Sequence, residues 1–207
     1  MNTEIGRSVY SVKSSYFILR SEVLDGYCAI FLTPTGMLDI HKPATGVRMG
    51  DAYPQGLRFQ MAKEEKGLKI ADIIPNALGY FMVSARMKAL LEQHAGVEIE
   101  FLRFTLLNHR GRVAGEDCYI ANVIGVQDWV DAEKSDGTRK ASNPNRFLFL
   151  RRLVLDNDKL DPEIRLFRTV TVPRLPIVRQ DFKELLEREG MTGPTFYPVG
   201  AEVAFTP

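Results

Sequence analysis

Two stretches 95 residues apart carry the same helix-then-strand pattern, and this most limits what the chain can fold into. Residues 81–104 read FMVSARMKALLEQHAGVEIEFLRF, and residues 176–199 read PIVRQDFKELLEREGMTGPTFYPV. Aligned without a gap they share six identities: Val83/Val178, Lys88/Lys183, Leu90/Leu185, Leu91/Leu186, Glu92/Glu187 and Phe101/Phe196. In the first stretch Val83, Met87, Leu90 and Leu91 fall on one helical face. Phe182 takes the place of Met87 in the second, so the apolar face is kept. Ser84 is placed to cap the first helix and Gly96 to end it. Two copies are too few for a stacked array, which needs about three or more. They predict two similar helix-on-sheet pieces, each burying one helical face against strands.

The rest of the chain reads as strands and breakers around these pieces. Tyr16–Leu19, Tyr27–Leu32, Ile99–Leu106, Cys118–Val126 and Arg146–Leu155 are apolar runs of strand character. Asp136-Gly137 and His109-Arg110-Gly111 read as turns. Residues 33–67 hold Pro34, Gly36, Pro43, Gly46, Gly50, Pro54, Gly56 and Gly67, a density that predicts an irregular arm with short strands. Residues 1–14 form a loose lead-in. The expectation is one domain over residues 1–207, of α+β class. It has mainly antiparallel sheet with two similar amphipathic helices, about 84–94 and 179–189, packed on it.

Composition narrows the function classes. The 207 residues carry 27 Lys+Arg against 26 Asp+Glu, a balance that gives no support for a general nucleic-acid or membrane-surface binder. Three His and two Cys exclude a His- or Cys-rich metal cluster and make a disulfide scaffold implausible. Cys28 and Cys118 lie in apolar runs and read as buried, reduced thiols. The N-terminal residues lack the apolar core of a secretory signal, and no apolar run approaches the roughly 20 residues that span a bilayer. The expected location is the cytoplasm, without membrane insertion.

No phosphate-binding glycine loop, HExxH or CxxC occurs, and neither a metal nor a cofactor is expected. His109 and Asp117 flank a turn and could form a base with its orienting group, but no nucleophile is marked beside them. The strongest local charge feature is acidic. Glu116, Asp117, Asp128, Asp131, Glu133 and Asp136 stand against Lys134 alone between residues 116 and 136. Residues 146–174 reverse the sign with Arg146, Arg151, Arg152, Lys159, Arg165, Arg168 and Arg174 against four acids. The alternatives are a solvated face with internal ion pairs, a patch facing a basic protein, or paired carboxylates for Mg²⁺ or glycoside chemistry. Trp129, inside QDWVDAEKSD, is either a core anchor or a binding hot spot.

The segments FMVSARMKALLE, CYIANVIGVQDWVDAEKSD, the LFR of Leu166–Arg168 and the closing IVRQDFKELLEREGMTGPTFYPV resemble a bacterial family once known only as a domain of unknown function. That family is now grouped with the immunity proteins encoded beside polymorphic and contact-dependent toxins. The resemblance covers roughly residues 80–199. It implies a protein that binds and neutralises a cognate toxin, with no reaction and no cofactor. Val83-Ser84-Ala85-Arg86 stays close to the family's Val-Ser-x-Arg helix entry, whereas Arg179-Gln180-Asp181 departs from it in the second copy. Asn122 matches a typical family Asn with a structural role. The candidate toxin-binding residues are Asp128, Trp129, Asp131, Glu133 and Asp136, with the 33–67 arm as a second contact. The alternatives are an enzyme using His109 and Asp117, and a self-associating module in which the repeated helices make a homodimer.

Overall fold

The computed structural model describes residues 15–205, so the 1–14 lead-in lies outside the described residues. In chain order the strands are β1 (Tyr16–Ser21), β2 (Arg58–Gln60), β3 (Met82–Ser84), β4 (Ile99–Leu107), β5 (Val113–Val123) and β6 (Asp136–Lys140). They continue with β7 (Asn143–Arg152), β8 (Leu166–Phe167), β9 (Ile177–Arg179), β10 (Pro194–Pro198) and β11 (Glu202–Phe205). The helices are α1 (Ala85–His94) and α2 (Gln180–Arg188). The strands form three sheets, in the orders β10-β1-β9-β8, β11-β7-β6 and β2-β4-β5-β3.

This corrects the expected α+β architecture. The regular structure of the described chain is mostly β-sheet, and no common sheet carries the two helices. Helix α1 touches β3 and β5, whereas α2 touches β9 and β1. With ten and nine residues, each helix is only about 15 Å long or less, too short to cover a sheet. The pairing β2–β4 is parallel, unlike the others within the three sheets. Several strands escaped the sequence because they lack apolar alternation. Strand β6 reads DGTRK, and it exists because it pairs back on β7. Asp136-Gly137 therefore lies in a strand, not a turn. Conversely, Tyr27–Leu32 is not a strand. It makes single bridges, Tyr27 to Lys69 and Ile30 to Asn76.

The two helix pieces sit in matching surroundings. Val83 pairs with Tyr119 and Phe101 with Ala121 on β5; Val178 pairs with Phe17 and Phe196 with Leu19 on β1. Lys88 Nζ lies 4.9 Å from the Phe101 ring centre and 5.5 Å from that of Tyr119. Lys183 Nζ lies 5.3 Å from Phe196 and 5.4 Å from Phe17. Each lysine also binds the glutamate one turn on, Glu92 or Glu187. Each aromatic pair meets edge to face, at 6.3 and 6.4 Å. A cation held over two ring faces is attracted by their quadrupoles. All six shared identities thus fall on these contacts or on the apolar face that meets them.

Both apolar faces end in one core cluster. Val83, Met87, Leu90 and Leu91 pack there with Val178, Phe182 and Leu186, and Leu185 covers it from the edge. The polar link between the pieces is Asp72, almost wholly buried. Its carboxylate accepts from Ser84 Oγ at 2.8 Å, Arg86 Nη1 at 3.0 Å, Thr192 N at 3.0 Å and Thr192 Oγ1 at 3.1 Å. Ser84 Oγ in turn accepts the Met87 N–H at 3.1 Å, capping α1. Arg86 also donates to the carbonyls of Glu189 and Gly190 at the C-terminal end of α2. No side chain caps α2, where Arg179 instead forms a two-pronged ion pair with Asp181.

A second cluster lies under the 33–67 arm, with Met37, Ala44, Met49, Tyr53, Leu57, Phe59 and Met61 buried against Phe104, Leu106 and Ile120. Cys28 and Cys118 are free and buried in it. Burial pushes their thiols up, to about 11 and about 12. The third cluster joins β1, β7 and β9 through Ile18, Phe147, Leu150 and Ile177.

Replacing Asp72 by Ala leaves the hydroxyls, the Thr192 N–H and Arg86 without their acceptor. It should cost about 3 kcal/mol in urea unfolding. The thiols add a pH dependence of known sign. The folded state holds their protons more tightly than the unfolded chain, whose thiols ionise near pH 9.0. Their stabilising contribution is complete below that pH and is lost as pH rises toward 11–12. The urea midpoint should fall between pH 8 and pH 10.5, and Cys118→Ala should flatten that fall.

Candidate functional site

The acidic segment begins inside β5 and ends in β6. Its acids are largely engaged within the molecule. Asp131 accepts the backbone N–H of Glu133 at 3.2 Å and of Lys134 at 3.0 Å, and binds Lys134 Nζ at 2.7 Å. The bonds from Lys134, side chain before backbone, hold the Asp131 carboxyl below its usual range. This is a turn closed by an aspartate on the N–H groups after it. Asp136 pairs with Arg151 at 3.2 Å and Asp128 with Lys159 at 3.8 Å. Two acids of the acidic block thus meet two bases of the basic block. Asp128 keeps its side chain 81% exposed despite that contact. Glu133 is exposed and forms no ion pair among the described residues. Trp129 is half-buried, with its ring 4.8 Å from that of Phe167 and edge to face. It packs on the third core cluster and stays partly exposed.

His109 and Asp117 are held by different partners. His109 Nε2 lies 3.2 Å from the Gly67 carbonyl, which only accepts, so that nitrogen carries the proton. Its Nδ1 is buried without a hydrogen-bond partner. Asp117 pairs with Arg103 of the neighbouring strand at 2.8 Å.

The arm is fixed at its middle by a polar clamp. Glu100 accepts the N–H groups of Met49 at 2.9 Å and Gly50 at 2.8 Å. The buried Asn122 donates to Glu100 at 3.0 Å and to the Val47 carbonyl at 2.9 Å. Burial alone would raise the Glu100 carboxyl, but the two backbone N–H groups and the Asn122 amide outweigh it and hold it low. Gly46 makes the approach possible. Its φ is 76°, and a Cβ there would stand 2.6 Å from the Gly125 carbonyl oxygen. Outward from this clamp the arm and the residue before it expose Leu32, Leu38, Ile40 and Val47, with Leu32 at 78% and Leu38 at 73%.

Sequence reasoning missed a basic cavity of about 190 Å³ lined by His41, Thr45, Lys140, Arg146, Thr171 and Arg174, with Phe147, Val172 and Pro173 as its apolar walls. These residues come from the arm, the β6–β7 hairpin and the 171–174 loop. No local signal could have joined them, because the segments lie up to 133 positions apart, as in the 3.2 Å contact of Arg174 with His41. Among the described residues no group of three or more His, Cys, Asp or Glu could hold a metal ion, and no helix is long and apolar enough to cross a membrane.

Residues 23–201 match the model of the Immunity protein family (Imm11). The chain belongs to that family. No curated protein matches it. The match spans both helix pieces, the arm, the acidic segment and the basic cavity, so these are features of one family member's body.

Asn122→Ala should free the Glu100 clamp. Urea stability should drop by about 2 kcal/mol, and the amides of Met49 and Gly50 should exchange with solvent faster than in the parent protein.

Proposed function

We propose that this protein binds a cognate bacterial toxin and neutralises it by covering a surface the toxin needs, acting in the cytoplasm and by binding instead of chemistry. Membership of the immunity family over residues 23–201 carries this reading. The surface supports it in two ways. Asp128 and Glu133 are exposed acids, whereas the basic cavity is lined by no acidic side chain, and local charge of this kind steers a charged partner and discourages wrong ones. The arm and its N-terminal edge carry large exposed apolar side chains, which gain most by being covered.

The contact begins at Asp128 and Glu133, the acids least committed to internal partners, beside the partly exposed Trp129. Asp131 and Asp136 shape the same face, Asp131 by closing its turn and Asp136 by pairing with Arg151. Leu38, Ile40 and Val47 of the arm form the second contact. A stable complex of this kind buries about 1,000 Å² or more in total, and the arm adds apolar area to the acidic face.

The test is co-expression with the product of the neighbouring gene, followed by toxicity rescue and binding of the purified pair. The parent protein should protect and should bind at a rate that falls with added salt. Asp128→Lys with Glu133→Lys should slow association about tenfold at low salt and flatten its salt dependence. Failure of the parent protein to bind or protect would remove the immunity reading. Unchanged association in the double variant would place the contact elsewhere.

A further inference from the structure

We infer that the basic cavity between the arm, the β6–β7 hairpin and the 171–174 loop is a binding site for an oxyanion, a carboxylate or phosphate group. No acidic side chain lines it. Lys140 and Arg146 form no ion pair among the described residues, and Arg146 Nε is buried without a hydrogen-bond partner. Arg174 is hydrogen-bonded to the His41 ring at 3.2 Å and forms no ion pair among the described residues. Two arginines and a lysine therefore line one pocket with no acidic side chain to neutralise them. The Thr45 and Thr171 hydroxyls stand among them as neutral donors.

A fourth cation lies behind the wall. Arg168 is 1% exposed, and its Nη1 donates to the carbonyls of Ala44 at 3.2 Å and Pro173 at 2.7 Å. Those carbonyls belong to the two segments that flank the cavity. Arg168 Nε and Nη2 have no partner. Burial pushes this guanidinium down to about 10, so it is still charged at neutral pH. An uncompensated buried charge is costly, and an anion bound nearby in the same low-dielectric region offsets that cost. Size fixes the scale of the ligand. About 190 Å³ is on the order of six water volumes, room for an anionic head group and a little solvent but not for a drug-sized molecule.

Two sources share this chemistry: an Asp or Glu side chain of the bound toxin, and a free phosphate ion. The site stands in the isolated protein and so does not depend on the immunity reading. Titration of the full chain with inorganic phosphate, against chloride at matched ionic strength, tests it by calorimetry and thermal unfolding. Phosphate should bind and raise the unfolding temperature. Arg146→Gln and Arg174→Gln should each weaken binding about tenfold, the loss of a charge-assisted bond. Arg188→Gln, at the far end of α2, should leave it unchanged. Equal responses to phosphate and chloride, or a full phosphate response in Arg146→Gln, would overturn the site, as would an equal loss in Arg188→Gln. Phosphate that binds and also competes with the toxin identifies a toxin carboxylate as the ligand. Phosphate that binds without displacing toxin identifies a free anion, and the site holds in both cases.

Discussion

The Asp72 carboxylate is the point on which the arrangement of this protein depends. Taking a carboxylate out of water costs several kcal/mol unless its oxygens find donors. Here they find four, from Ser84, Arg86 and both donors of Thr192. The donors come from both helix pieces, so the carboxylate is satisfied only when the pieces are docked. Its cost thus becomes a condition on tertiary structure. Backbone bonds beside it, Ser84 N–H to the Asp72 carbonyl and Ile73 N–H to the Thr192 carbonyl, continue the same seam. The apolar cluster shared by α1 and α2 supplies the driving force, and Asp72 fixes the register in which it is spent.

With the pieces docked, the charges fall into place. The near-zero net charge is the sum of partly paired and partly uncompensated groups. At one end of the β6–β7 hairpin Asp136 meets Arg151, next to the Asp131 turn and the exposed Asp128. Toward the other end Lys140 and Arg146 face Arg174 across a cavity without acids. A partner-binding protein gains from such polarity, because orientation is set before contact is made. The exposed apolar residues of the arm add what charge alone lacks, area to be removed from water.

The helix windows were legible because a helix is a local object. The spacing of Met87, Leu90 and Leu91, Ser84 before them and Gly96 after them are all within one turn of the helix they define. Strands were legible only where apolar residues alternate or run together, as in β4 and the later half of β5. Strands β6 and β11 are polar or short, and their pairing with β7 is what makes them strands. The opposite failure is Tyr27–Leu32, where Cys28 and Ile30 enter a core cluster without a neighbouring strand to pair with, while Leu32 stays exposed. Apolar character reported burial there, and burial does not require a ladder.

The sequence by itself determined which short segments are helical, where breakers deny regular structure, and that acids and bases are segregated along the chain. Those properties rest on residues close together in the chain. Tertiary structure decided that the sheets are three and separate, that Glu100 and Asn122 clamp the arm, and that two acids of the acidic block are paired with bases of the basic block. It also decided that Arg146, Arg174 and Lys140 share one cavity with the buried Arg168 behind it. These depend on contacts across dozens to more than a hundred residues, whose partners no local pattern names. Charge is additive along a chain, but a field in space depends on where folding puts each charge.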